Sequence, residues 1–346
     1  MLPTKLRKGG VLALIACLVS APLPAFAWGH QAHAAIDQAA IAALPDDGPV
    51  FLRAYSDYVG ASATLPDSWR SSSEPFSKIA EDPNHGWFRE QFAFMKTIPR
   101  SRFEFILSLY REYLRIKDAD PEGAKRMNVR WTGTLPYAAM EVYGHLVADM
   151  RLLRRARAAG NDKEAGFLEQ SCAFYIAEMG HYIGDGSQPM HDSVNSDGWR
   201  GPNPEGYSLG PSIHGRFESD YVRAIGLTTE DVRQHMAKLG HQRGDLFGEV
   251  LTYLDANGDR MEQVFRLDER GAFADPNDRQ ARAFVYQQTA AGASMLRDMI
   301  YRAWLESAHP PRTEGPSPLD PGNPAYNPET GSAPAPIDPA ASEPRE

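Results

Sequence analysis

The chain has 346 residues, 42% of them hydrophobic and 23% charged, with a formal net charge of −9. That is enough apolar material for one or two substantial cores, so a disordered or fibrous chain is excluded. The acidic balance argues against a broad basic face gripping duplex DNA, though not against a site that meets a phosphate through metal ions. Residues 1–27 read as a secretory signal: Lys5, Arg7 and Lys8 form a basic start, Val11 to Val19 an apolar run, and Ala25-Phe26-Ala27 a cleavage site. Cleavage there leaves Trp28 first, makes the charge about −12, and implies export to the periplasm or the medium. Leu14-Ile15-Ala16-Cys17 also resembles a lipid-attachment box, with a short apolar core before it. Cys172 is the one cysteine after the signal, so no internal disulfide forms and stability rests on packing and on metal. No later run has 18 or more apolar residues, which leaves no membrane span and no stable membrane insertion.

From Trp28 onward apolar residues return every three or four positions, the period of amphipathic helices. Phe103, Ile106, Tyr110, Tyr113 and Leu114 make one stripe expected to face the core. Tyr143, Leu146, Val147 and Met150 make another, and Phe167, Leu168, Cys172, Tyr175, Ile176 and Met179 a third. Thr228 or Thr229 ahead of Glu230 reads as a helix cap, and Gly240 as that helix's stop. A long helix is expected from about Arg279 to Leu305. From Pro310 to Glu346 proline is frequent and large apolar side chains are scarce, the composition of a disordered tail. The expected fold is all-α: one helical domain over residues 28–309, a signal at 1–27 and a tail at 310–346.

The stretch HYIGDGSQPMHD concentrates ligand-type side chains. His181 and Asp185 are four apart and share a helix face; Pro189 ends the helix and can turn His191 back toward that face. In HGRFESD, His214 and Glu218 repeat the four-residue spacing. Histidine and carboxylate without cysteine suit zinc in a hydrolytic site better than a structural thiolate site.

HYIGDGSQPMH followed by HGRFESDYV, with WGHQAH after the cleavage site, resembles the superfamily that joins zinc-dependent phospholipases C to single-strand-specific zinc nucleases. The resemblance implies an all-helical fold holding three zinc ions in a cleft. It implies one ion on the Trp28 backbone, His33 and Asp185; a second on Asp67, His85, His181 and a bridging Asp185; a third on His191, His214 and Glu218. Local motif is thin around Asp67 and His85, where Asp82 is an alternative to Asp67. His33 is preferred to His30 because the nuclease branch has a histidine five residues after its tryptophan. His145, His235, His241 and His309 fall outside the motifs and are expected to be structural or solvent-facing.

By the same resemblance Asp67 is the catalytic candidate, orienting or deprotonating a zinc-activated water that attacks a phosphodiester. Glu218 and HYIGDGSQPMH favour a phospholipase C-like phosphodiesterase. WGHQAH and the 23-residue step from His191 to His214 favour a single-strand-specific nuclease or 3'-nucleotidase. Trp69, Trp87, Trp199 and Tyr207 are candidates to stack on a base or to cage a quaternary ammonium group. The substrate is then a phospholipid head group or a single-stranded nucleic acid, and no protein partner is indicated. A noncatalytic, zinc-stapled helical module is the third reading.

Overall fold

Two helices of 24 residues, Leu135–Ala158 and Asp162–Asp185, form a hairpin in the middle of the molecule. Gly160 turns the chain with φ +67, which L side chains rarely adopt, and Asn161 caps the second helix by accepting a hydrogen bond from the Glu164 backbone N–H. Tyr143, Leu146, Val147 and Met150 of the first helix and Cys172, Ile176 and Met179 of the second are buried. The final helix, Arg279–Ser307, starts on an Asp278 cap and packs across this hairpin and against helix His30–Ala42. In this computed structural model residues 28–240, 242, 244–309 and 316–336 are described; they are helical, with two isolated bridges and no strand. The signal segment, Cys17 and His241 lie outside the described residues. No helix among them is long and apolar enough to cross a membrane.

Three expectations need correction. Helix Arg102–Ile116 buries Phe105 and Leu109, while Phe103 and Tyr110 are 60% and 54% exposed and Ile106, Tyr113 and Leu114 are exposed as well. The reason is an aromatic nest of Trp87, Phe92 and Tyr137, which receives the Phe105 ring and so fixes which face turns inward. Phe167, counted in the third stripe, is also exposed. Helix Thr229–His235 is capped by Thr228 in a capping box with Asp231, but it stops at His235, well before Gly240. Arg297 donates to the Ala237 and Lys238 carbonyls, and Ser294 Oγ accepts from the Ala237 N–H, so the following chain is drawn onto the final helix.

Residues 316–336 take no helix or strand, as their proline content implies. They form turns against helix Arg102–Ile116: Arg100 Nε donates to the Ala335 carbonyl at 2.9 Å, and Glu329 pairs with Arg111.

Candidate metal centre

The helix Asp162–Asp185 ends in six buried residues, Gly180 to Asp185, which brings His181 and Asp185 into the interior on one face. It stops before Pro189, and the turn Pro189–Asp192 carries His191 back beside them. Helix His30–Ala42 crosses at Gly184, where any Cβ would come within 2.6 Å of the His33 ring. The glycine lets His33 stack on His181, with ring centroids 4.3 Å apart. His85 ends the turn Asp82–His85; His214 sits in Ser212–Gly215, and Glu218 in the π-helical turn Arg216–Tyr221 that follows.

Eight side chains named from the sequence thus meet in three buried groups: His33, His181 and Asp185; Asp67, His85 and His181; His191, His214 and Glu218. Each of these groups can hold a metal ion. Asp185 faces two of them, Oδ1 lying 3.4 Å from His33 Nε2 and Oδ2 3.0 Å from His85 Nδ1. Asp67 Oδ1 lies 3.8 Å from both His85 Nδ1 and His181 Nε2. Trp28 is buried beside the third group: its Nε1 donates to Ser187 Oγ, and the Gly29 N–H donates to the Glu218 carbonyl at 3.3 Å.

The imidazole tautomers expose the need for a cation. His181 Nδ1 donates to the Ala63 carbonyl at 2.9 Å and His85 Nε2 to Glu81 Oε1 at 3.1 Å, so His181 Nε2 and Asp185 Oδ2, each 3.0 Å from His85 Nδ1, converge on a point where one cation, a proton or a metal ion, can satisfy all three. At the other group the His191 and His214 Nδ1 atoms donate to the His85 and Ser196 carbonyls, and their Nε2 atoms stand 3.1 Å apart with Glu218 Oε2 2.8 Å from that of His214. Burial keeps His191 down at about 3, whereas at His214 the Glu218 carboxylate outweighs burial and lifts the ring to about 9. Asp67 Oδ2 and Glu218 Oε1 are buried with no hydrogen-bond partner, and His33 Nε2 and Asp185 Oδ1 have only each other, at 3.4 Å. So many orphaned donors to one centre are costly without ions to satisfy them.

Asp82, the alternative to Asp67, is elsewhere: Arg70 and Lys78 each reach it at 3.1 Å and Arg130 at 3.4 Å. His30, His145, His235 and His309 are exposed and away from the cluster. The suggested stacking aromatics are packing residues. Trp87 lies in the Phe92–Phe105 nest, Trp199 packs on Tyr207 and Phe265, and Trp69 lies against Phe174. The cleft over the cluster, a cavity of about 140 Å³, is lined instead by Phe88, Arg70, Arg130, Ser196 and Asp197 together with His85, His191 and His214. Arg70, three residues after Asp67 and 3.3 Å from it, was within reach of the helical spacing rule. Phe88 and Arg130 reach the cleft only through the tertiary fold.

Glu178, half-buried one turn before Tyr182, is pushed up to about 7 by burial and by the nearby Glu81 carboxylate. A raised carboxyl pKa leaves stability full below about pH 4.5, reduces it as the pH rises toward 7 and holds it low above. Glu178→Gln is therefore expected to raise Tm at pH 8 by about 2–4 °C, corresponding to about 1 kcal/mol after discounting for solvent screening. At pH 4 the melting curves of the two proteins should coincide.

No protein-family model matches the chain, and no solved structure matches it. A curated protein from Bradyrhizobium tropiciagri, described as a probable serine protease, is 32% identical over 116 residues, which is 30% of this chain and 13% of that protein. The chain thus spans a small part of the length of the curated relative it matches. This comparison overturns the phospholipase C-like phosphodiesterase expected from the sequence, together with its nuclease alternative: the matched relative carries the name of a peptidase.

Proposed function

We propose that the chain is a metal-dependent hydrolase whose ions are zinc. The observation that carries this is the convergence of three buried His and carboxylate groups, with imidazole nitrogens 3.0 and 3.1 Å apart beside carboxylate oxygens that lack a hydrogen-bond partner. The all-nitrogen-and-oxygen donor set suits zinc in a hydrolytic site, and the likeness of the His181–His191 and His214–Glu218 motifs to a zinc-dependent superfamily supports the same ion. When bound, such ions polarise a scissile bond and lower the pKa of water from 15.7 toward about 7.

The remaining work falls to the chain's own residues. Asp67 keeps Oδ2 free while Arg70 holds its other oxygen, which leaves one carboxylate oxygen fixed in place to hold a proton. Arg70 and Arg130 put positive charge at the mouth of the cleft, which favours a substrate bearing negative charge near the bond that is cut. Arg130→Ala is expected to raise KM for an anionic substrate about three- to tenfold and to leave kcat within twofold. Steady-state kinetics at two salt concentrations check this, since a screened charge contact weakens with salt.

The relative's name supports a second reading, a peptidase. Among the described residues, however, no serine hydroxyl is hydrogen-bonded to a histidine ring, the arrangement that activates a serine nucleophile. One panel separates the readings: a protein substrate, a carboxylic ester and a phosphoric ester, each with a chelator and with a serine-directed inhibitor. Cleavage that stops with the chelator, returns with zinc and ignores the inhibitor supports the metal-dependent hydrolase, and the substrate cut names the bond. Cleavage that the inhibitor stops and the chelator spares overturns it.

A further inference from the structure

Three of the imidazoles in the cluster lean on backbone carbonyls, those of Ala63, His85 and Ser196. His85 alone among these four rings leans on a carboxylate. Glu81, the last residue of helix Pro75–Glu81, is 8% exposed and receives His85 Nε2 at 3.1 Å on Oε1. The same oxygen accepts from the Tyr182 hydroxyl at 2.7 Å, and Oε2 accepts from Asn84 Nδ2 at 3.2 Å. Asn84 is itself fixed, its Oδ1 accepting from Thr134 Oγ1 at 3.0 Å and from Arg102 Nη2 at 3.2 Å. Both oxygens of Glu81 are therefore immobilised before it touches His85.

We propose that Glu81 is a positioning residue of the metal centre: it holds the proton on His85 Nε2, aims Nδ1 at Asp185 and His181, and raises the donor strength of that ring above the others. This rests on the metal-dependent reading of the cluster. The physical basis is that an imidazole N–H held by a carboxylate leaves a more basic nitrogen opposite, in a single tautomer and a single ring orientation. A ring held by a neutral carbonyl gains the orientation with less of the basicity. Glu81 contributes no atom to the cavity lining, so its effect passes through His85.

The test uses the zinc-loaded full chain, with ion affinities from competition against a chelator and the visible spectrum of the cobalt-substituted protein as readouts. Glu81→Ala is expected to weaken one ion about 10- to 100-fold, to leave the others unchanged and to shift the cobalt bands. Glu81→Gln keeps an acceptor oxygen without the charge, so it should preserve the ring orientation but recover only part of the affinity, leaving one ion severalfold weaker than in the wild type with shifted cobalt bands. Tyr182→Phe removes the 2.7 Å bond to the same oxygen while keeping the ring beside His85 and the His85–Glu81 bond, and all affinities should stay within twofold. Unchanged ion affinities in Glu81→Ala, or equal losses in Tyr182→Phe and Glu81→Ala, overturn the proposal. If Glu81→Ala does not fold, the Gln variant decides: a folded protein with an unaltered cobalt spectrum and unaltered affinities overturns it. A wild-type chain that takes up no ion strikes down the metal-dependent reading itself, a result distinct from any difference among the variants.

Discussion

Asp185→Ala should lose at least two ions and on the order of a thousandfold in kcat, about 4 kcal/mol of barrier, while far-UV circular dichroism stays that of a helical protein. Its two oxygens serve different neighbours, Oδ1 toward His33 and Oδ2 toward His85 and His181 at 3.0 and 3.5 Å. Removing the carboxylate therefore strips an anionic donor from two of the three groups at once. It also leaves His85 Nδ1 and His181 Nε2 with Asp67 as the one carboxylate beside them, at 3.8 Å. The fold should survive, because Asp185 is the last residue of its helix and the helix's apolar contacts lie upstream, at Cys172, Ile176 and Met179. Elemental analysis of the variant beside the wild type, with kcat on the substrate that the chelator test selects, checks both halves. By contrast His214→Ala should cost one ion, since His214 belongs to a single group.

Chelation should lower Tm by about 8–16 °C for each ion removed, with recovery when zinc is returned. An ion held at a thousand times its Kd adds about 4.1 kcal/mol, and each kcal/mol moves Tm by about 2–4 °C in a domain of roughly 150–250 residues. The size of the effect follows from what the ions would neutralise. Buried in one interior centre are Asp67, Asp185 and Glu218 and five imidazoles, and five side-chain atoms of these residues make no hydrogen bond. Cys172 is unpaired, so no disulfide among the described residues offsets the loss. Differential scanning calorimetry with and without chelator measures it. The same experiment addresses the zinc-stapled module: a module of that kind loses stability on chelation but cleaves no member of the substrate panel in any state.

The parts of the molecule legible in the sequence are those encoded over short spans. The four-residue steps from His181 to Asp185 and from His214 to Glu218 place pairs on one helical face whatever the tertiary fold. Pro189 ends a helix for local steric reasons, so His191 was readable too. The hairpin stripe from Tyr143 to Met150 is buried as its period implies. Helix Arg102–Ile116 shows where period fails: apolar residues surround much of it, and the aromatic nest rather than the pattern chooses Phe105 and Leu109 for the core. The end of helix Thr229–His235 was missed for a related reason, since Arg297 and Ser294, some 60 residues on, take over the backbone groups that would have continued it.

Within the site, Asp67 and Asp82 could not be separated by spacing; the fold separates them by surrounding Asp82 with three cations. Glu81 stands four residues before His85, the spacing that marks the other pairs, and went unread, whereas Phe88 and Arg130 carried no signal because they reach the cleft only through the tertiary fold. Trp87 and Trp199 mislead for the opposite reason: an aromatic near a ligand in sequence is drawn into packing as readily as into a cleft. The substrate is the least legible feature. Phosphodiesters were expected from the motifs, and the likeness over 116 residues to a protein described as a probable serine protease overturned that expectation.

The central claim is that the buried cluster is a metal centre with three sites. The most direct test is elemental analysis of the chain, purified without chelator and dialysed against metal-free buffer, with the ions located by anomalous scattering from a crystal. Three zinc ions per chain are expected, one at each of the groups His33–His181–Asp185, Asp67–His85–His181 and His191–His214–Glu218. A chain that keeps fewer than two ions, or holds them away from these residues, contradicts it.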